Sequence, residues 1–325
     1  MTTATLGRTN LGQDRNQTKA ESQIAVVWRR FRRHKVALIG VAALIFIFLF
    51  SFLGPLFMKT SPTVQVAAPD QLPDATHIFG TDEIGRDVLV RLMWAGRISL
   101  LIAFAVTFLS QVFGVIFGAV AGYYVGWVDA ILMRIVDFML TLPLLPVLLI
   151  VSAFSLRGGL PISLPSFVNN FFAKLWATDA ASAEQILILV LILGAFSWMG
   201  AARLVRGVIL SLRTQEFAEA ARALGGSSWG IIFKHMIPNA LAPILVSATL
   251  GIADIILTES ALSFLGFGVQ IPTPSWGNML FNAQADMFTQ PWRALVPGLA
   301  IFMTSLSANF VGDALRDALD PRLKL

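Results

Sequence analysis

Apolar residues in this chain gather in runs too long for the core of a small soluble domain. About 20 apolar residues are enough to cross a bilayer as a helix, and six stretches qualify: 36–57, 98–124, 131–156, 185–205, 239–262 and 294–311. Asp254 and Glu259 interrupt the fifth. The third carries Pro143 and Pro146, which predict a kink of the kind tolerated in helices that line pathways. The first follows a polar leader of 35 residues and lacks a small-residue cleavage site, so it reads as a retained span and not a signal peptide. The pattern predicts an all-α membrane protein of six transmembrane helices. Its parts are a basic leader (1–35), a first helix (36–57), an external segment (58–97), a core of five helices (98–318) that includes a cytoplasmic elbow (214–238), and a tail (319–325).

Composition agrees with that pattern. The chain is 56% hydrophobic with 13% charged residues, against about 25% charged in an ordinary soluble domain. It has no cysteine, which excludes a disulfide framework, a zinc finger and an iron–sulfur site. Orientation follows the distribution of Lys and Arg. With the N-terminus inside, the inner segments hold eight (1–35), one (Arg134), five (203–234) and three (316–324), seventeen altogether; the outer segments hold seven. The run Arg29, Arg30, Arg32, Arg33, Lys35 before the first span is the strongest contributor. Both termini are therefore expected in the cytoplasm of a multi-pass membrane protein.

Residues 219–235, EAARALGGSSWGIIFKH, look like a helix-turn-helix. A DNA reader is the wrong conclusion. The segment spans only about 30 residues between apolar runs, too few for a core of its own, and its Arg213, Arg222 and Lys234 are offset by Glu216 and Glu219. Thr214 is placed to cap a helix with Glu216 in its first turn. Phe217, Ala220, Ala221 and Leu224 would form its apolar stripe. Gly225 and Gly226 would stop it, and Ser227 or Ser228 would cap a second helix running to Met236, with Pro238 opening the next span. Physically, this is either a rigid elbow that another protein can approach or a loop lying along the membrane.

The residues carry a resemblance. Glu219-Ala220-Ala221, Gly225 and Ile237-Pro238 are similar to the EAA loop of ABC-importer membrane subunits, departing from it at His235 and Ile237. Residues 77–89, 259–270 with 272–280, and 312–323 each resemble the dipeptide/oligopeptide permease family, its C-type subunit in particular, so that the likeness covers about residues 25–325. It implies a type I ABC-importer-like permease of the bacterial inner membrane that imports dipeptides or oligopeptides. The elbow would then be a coupling helix, with Glu216, Glu219, Ala220, Ala221, Arg222, Gly225 and Pro238 facing a cytoplasmic ATPase. The implied partners are a homologous second permease, two ATPase subunits that bind ATP and Mg, and an extracytoplasmic peptide-binding protein, beside membrane lipid and without nucleic acid. Relatives of this type also carry nickel chelates or opines.

Nothing in the chain points to catalysis. No phosphate-cradling loop, HExxH or G-x-S-x-G is present. His77, Asp82, Glu83 and Asp87 suggest a metal site, but a simpler account is a helix capped by Thr81 with Asp82 and Glu83 in its first turn and a membrane-facing stripe of Val88, Leu89, Leu92 and Met93. The chain is expected to be no enzyme and to hold no cofactor or metal. Asp137, Asp254 and Glu259 keep a proton-coupled secondary transporter as the alternative, although Asp137 has Arg134 one turn away as a partner. The substrate pathway is not legible.

Overall fold

The computed structural model describes residues 23–58, 60–159 and 164–319. The leader before residue 23 and the tail from 320 lie outside the described residues.

A short amphipathic helix, α1 (Gln23–Phe31), leads into α2 (Lys35–Phe52) and a single turn, α3 (Gly54–Phe57). Then come α4 (Val88–Tyr124), α5 (Gly126–Thr141), α6 (Leu144–Leu156), α7 (Ser166–Trp176) and α8 (Ala180–Leu212). The elbow contains α9 (Glu216–Ala223), α10 (Ser228–Ile231), a π-helical turn (Ile232–Met236) and α11 (Ile237–Asn239). The chain finishes with α12 (Leu241–Phe264), α13 (Trp276–Asn282) and α14 (Trp292–Leu319). Five helices, α2, α4, α8, α12 and α14, are each long and apolar enough to cross a membrane.

The third expected span, 131–156, is broken. Helices α5 and α6 meet at 86°, a corner and not a kink. Pro143 caps α6 and Pro146 falls in its first turn, where a missing N–H costs nothing. Helix α4 begins ten residues before the predicted start of the second span. Arg91 and Arg97 interrupt the apolar run there, but Arg91 is only 2% exposed because the neighbouring segments cover it.

At 37 residues, α4 is about 55 Å long, well beyond a hydrocarbon core of about 30 Å. Its backbone packs directly on α8. Gly114, Gly118 and Gly122 fall one turn apart, and a Cβ on Gly114 would lie 3.0 Å from the backbone of Trp198 and Ala202. On Gly122 it would meet the Arg206 carbonyl at 2.9 Å. Small residues at this spacing let two helices approach closely, the usual source of affinity between spans in lipid. Helix α2 lies against α14, with Gly40 over the Ser307 carbonyl, and α12 lies between α14 and α4.

One end of the bundle carries a cap built from residues 60–87 and 265–291. Three arginines hold it. Arg293, 4% exposed, reaches Asp70 (2.8 Å), Glu83 (2.8 Å) and Asp286 (2.7 Å). Arg86 reaches Asp82 (2.6 Å) and Glu83 (3.1 Å), and Arg91 lies 3.4 Å from Asp82. The helix expected to start at Thr81 starts at Val88, with Asp87 and not Thr81 as its cap. Thr81 donates to the Ala68 carbonyl and accepts from the Gln71 amide, while Asp87 is the N-cap of α4, accepting from Leu89 and Val90. Asp82 and Glu83 serve arginines, not a helix dipole. Val88, Leu92 and Met93 are buried inside the protein, not facing lipid.

Candidate coupling elbow and central cavity

The elbow sits at the opposite end of α4. Its geometry begins with a helix stop. At the end of α9 the Gly226 amide donates to the Ala221 carbonyl and the Gly225 amide to the Arg222 carbonyl, both 3.0 Å, which is the bond pair of a Schellman turn. Gly225 has φ +77, a conformation that a side chain makes costly. Ser227 then caps α10, accepting from the Gly230 amide at 3.2 Å. Of the two predicted caps for the second helix, Ser227 is the one used. Thr214 is not a cap: its hydroxyl donates to the Ser211 carbonyl and Gln215 takes the N-cap position.

The elbow is seated through its underside. Ala218, Ile231, Ile232 and Met236 are buried against Ala119 of α4 and Val205 and Ile209 of α8. The predicted stripe is therefore rotated by about one residue. Phe217, Ala218 and Ala221 face the bundle, whereas Ala220 is exposed and Leu224 is 89% exposed. A helix of two turns has no long-range periodicity to fix its phase, and the deep Ala218 contact sets it. Arg222 is used internally: it donates to the Ala218 carbonyl (3.2 Å) and to the Arg213 carbonyl, tying α9 to the end of α8.

The outer face then holds Glu216, Glu219, Ala220, Leu224 and Gly225, all exposed. Beside them stand Trp229 and Phe233, stacked with centroids 5.7 Å apart and each at least half exposed. Of the predicted site residues, Glu216, Glu219, Ala220 and Gly225 come together on this face. Ala221 and Arg222 support it from behind. Pro238, in α11, lies beyond the π-helical turn, where Asn239 donates to the His235 carbonyl at 2.6 Å. Sequence reading missed Leu224, Trp229 and Phe233 as surface residues. The tryptophan and phenylalanine, four apart on a helix otherwise short of partners, were the available signal.

Between the cap and the elbow lies a cavity of about 720 Å³ bounded by α4, α5, α6, α8, α12 and α14. Most of its wall is apolar, and its polar groups include Thr107, Ser110, Gln111, Ser247, Asp254 and Thr258. Gln111 donates to Ser247 at 3.3 Å. The two carboxylates of α12 part company here. Asp254 faces the cavity, while Glu259 is fully buried toward the cap, accepting from Ser99 of α4 (3.1 Å) and Ser263 (2.7 Å). Five residues separate them, about 140° around a helix. Asp137 does not pair with Arg134; Arg203 of α8 holds it at 2.6 Å. Arg206 holds Asp129 through two bonds of 2.5 and 2.6 Å, so that two ion pairs brace α5 against α8. No group of three or more metal-ligating side chains occurs among the described residues. His77 is 2.8 Å from Asp87 and joins the cap's ionic framework.

Residues 114–325 match the family described as "binding-protein-dependent transport system inner membrane component", and residues 22–73 match "N-terminal TM domain of oligopeptide transport permease C". Among similar proteins, a "dipeptide transport system permease protein DppC" of Alkalihalophilus pseudofirmus is 36% identical over 95% of this chain and 93% of that protein. An "oligopeptide transport system permease protein OppC" of Haemophilus influenzae is 39% identical over 90% of this chain and 87% of that protein. Another of that description from Bacillus subtilis is 34% identical over 91% and 88%.

Proposed function

Since the chain belongs to the binding-protein-dependent transport system inner membrane components, we propose that it is the C-type permease subunit of an ATP-driven peptide importer. The relatives' names give the substrate class, and the elbow carries the mechanistic part of the reading. It is an exposed, rigidly seated projection at the shared end of α4 and α8, the two helices with the closest backbone contact in the molecule.

In this reading the elbow and both termini are cytoplasmic, and the cap faces outward, as the division of positive charge directs. Two partner ATPases bind ATP and Mg and supply the energy. Glu216 and Glu219 offer carboxylates, and Leu224, Trp229 and Phe233 offer apolar area, to a cleft in one ATPase. When the ATPases close on each other the elbow moves as a solid piece, because its underside is packed and Arg222 is tied to α8. That movement reaches the cavity through α8, whose Ser197 and Met199 line it. A homologous second permease closes the open side, and an extracytoplasmic binding protein delivers peptide to the cap.

A proton-coupled carrier would leave the elbow without a task, and Asp254 and Glu259 do not share a face. The deciding measurement is peptide uptake in intact cells. Uptake should stop when ATP is depleted and persist when a protonophore collapses the proton gradient with ATP maintained. The reverse pattern overturns the reading.

A further inference from the structure

Asp254 differs from the other carboxylates of α5, α8 and α12. Asp129 and Asp137 are held by arginines, Glu184 accepts from the Leu164 amide, and Glu259 accepts from two serines. Among the described residues, no hydrogen bond or ion pair reaches the Asp254 carboxylate; only its backbone carbonyl is used, by Thr258. The position is deep. It lies 13 residues from the Leu241 end of α12, about 20 Å along the axis. A carboxylate at that depth is expensive to keep without a partner, and here it opens on the cavity.

The cavity wall around it has the same unfilled character. Thr107, 4% exposed, has a buried hydroxyl with no hydrogen-bond partner, and the side-chain carbonyl oxygen of Gln111 is likewise buried and without one. Both line the cavity from one face of α4, a turn apart. They stand opposite the face of α12 that carries Asp254. Thr107 lies against Gly251, one turn before Asp254, and Gln111 is bonded to Ser247, a further turn back. An unpartnered hydroxyl and an unpartnered amide oxygen thus lie along the α4–α12 wall that carries the Asp254 carboxylate. The complement of such a wall is a cation rich in donors. A primary ammonium carries three N–H groups and no acceptor, and it binds carboxylate and carbonyl oxygens through charge-assisted bonds.

We propose that Asp254, on the polar α4–α12 wall, is a transient site for the ammonium end of a substrate peptide crossing the cavity. The inference rests on the peptide reading above and adds which end of the peptide the permease recognises. Because Asp254 is the one carboxylate among the described residues of a lining that also includes Arg316, the site holds the ammonium without trapping it.

The test uses the complete importer in proteoliposomes, with two peptides of one sequence, one with a free and one with an acetylated amino end, both chosen to be held by the binding protein and supplied at saturation. The wild type should carry the free-amine peptide about tenfold faster, the worth of one charge-assisted hydrogen bond. Asp254→Asn should lose most of that preference by slowing the free-amine peptide alone, and Asp254→Glu should retain it. Subunit co-purification and ATP hydrolysis stimulated by the binding protein should be unchanged in both variants. Two results overturn the site while leaving the peptide reading intact: an unaltered preference in Asp254→Asn, or an equal loss of both peptides. Failure of the wild type to carry either peptide, while it carries another class of solute, overturns the peptide reading itself.

Discussion

The cap and the elbow terminate the same long helix, yet they are held by different physics. The cap is tied by charge and hydrogen bonds. Arg293 alone meets three carboxylates from three stretches of chain, and Asn278 completes a capping box with Ser275 while donating to the Val269 and Thr273 carbonyls. Buried Glu259 fastens the same region to α4 through Ser99, whose hydroxyl also accepts from the Trp276 amide. Among its described residues the elbow has no ion pair; it is held by apolar contact beneath, the Arg222 hydrogen bond to the end of α8, and a glycine turn above. The difference suits two tasks. Ionic networks fix an arrangement by making each member costly to strand, so the cap is over-determined. An apolar seat with a bare outer face leaves carboxylates and aromatic rings free to engage another protein.

Removing an arginine from the cap should cost the fold most. In Arg293→Ala, Asp70, Glu83 and Asp286 lose their common partner. The loss should be about 3 kcal/mol, the low end for opening a buried ion pair, because these carboxylates are partly exposed. The measurement is thermal unfolding in detergent. A midpoint equal to that of the wild type means the network contributes nothing.

The next effect comes from the elbow's backbone. Gly225→Val forces a β-branched residue to positive φ and should cost about 1–2 kcal/mol locally, while Gly225→Asn should be tolerated, since asparagine enters this region more readily. No atom lies within 4 Å of a Cβ added at Gly225, so sterics do not confuse the comparison. The valine variant should insert normally but lose ATPase co-purification and uptake, and the asparagine variant should keep both. Equal behaviour of the two would show that the left-handed turn does not set the docking geometry.

Glu219→Lys should leave the fold within about 0.5 kcal/mol of wild type, as expected for an exposed substitution. It should nevertheless weaken ATPase retention in a pull-down, because like charges brought together at an interface cost several kcal/mol. Unchanged retention would remove Glu219 from the docking face.

The smallest effect is one of pH, and it should appear near the cap only. Asp179, the N-cap of α8, accepts from the Ser182 hydroxyl and amide, which hold its carboxyl below the ordinary 3.8. A lowered pKa contributes stability that is fully present above the ordinary value and lost as pH falls through the lower, folded one. Below about pH 4, amide exchange in the first turn of α8 should therefore quicken. The first turn of α10, capped by a neutral serine, should show no such step.

The spans were legible because crossing lipid demands long apolar runs, and the elbow because glycine and serine announce a stop and a start. Other features were hidden for physical reasons. Proline signalled a break at 143, but the 86° corner depends on where α6 packs against α8. Asp82 and Glu83 looked like the opening of a helix because local rules cannot show that their partners include an arginine on α14. The phase of α9 was misjudged by one position because Ala218 finds its contacts on distant helices. The cavity wall draws on six helices, and no local pattern reports a surface assembled that way.

The glycine seam between α4 and α8 also bears on how the molecule is made. Residues 125–179 separate the two helices, and at about 5–20 residues per second a ribosome needs several seconds to cross them. Until α8 is made, Gly114, Gly118 and Gly122 lack the backbone they close against, and α5, α6 and α7 are made first. The closest joint in the finished protein is thus made late, between helices that are not consecutive in synthesis.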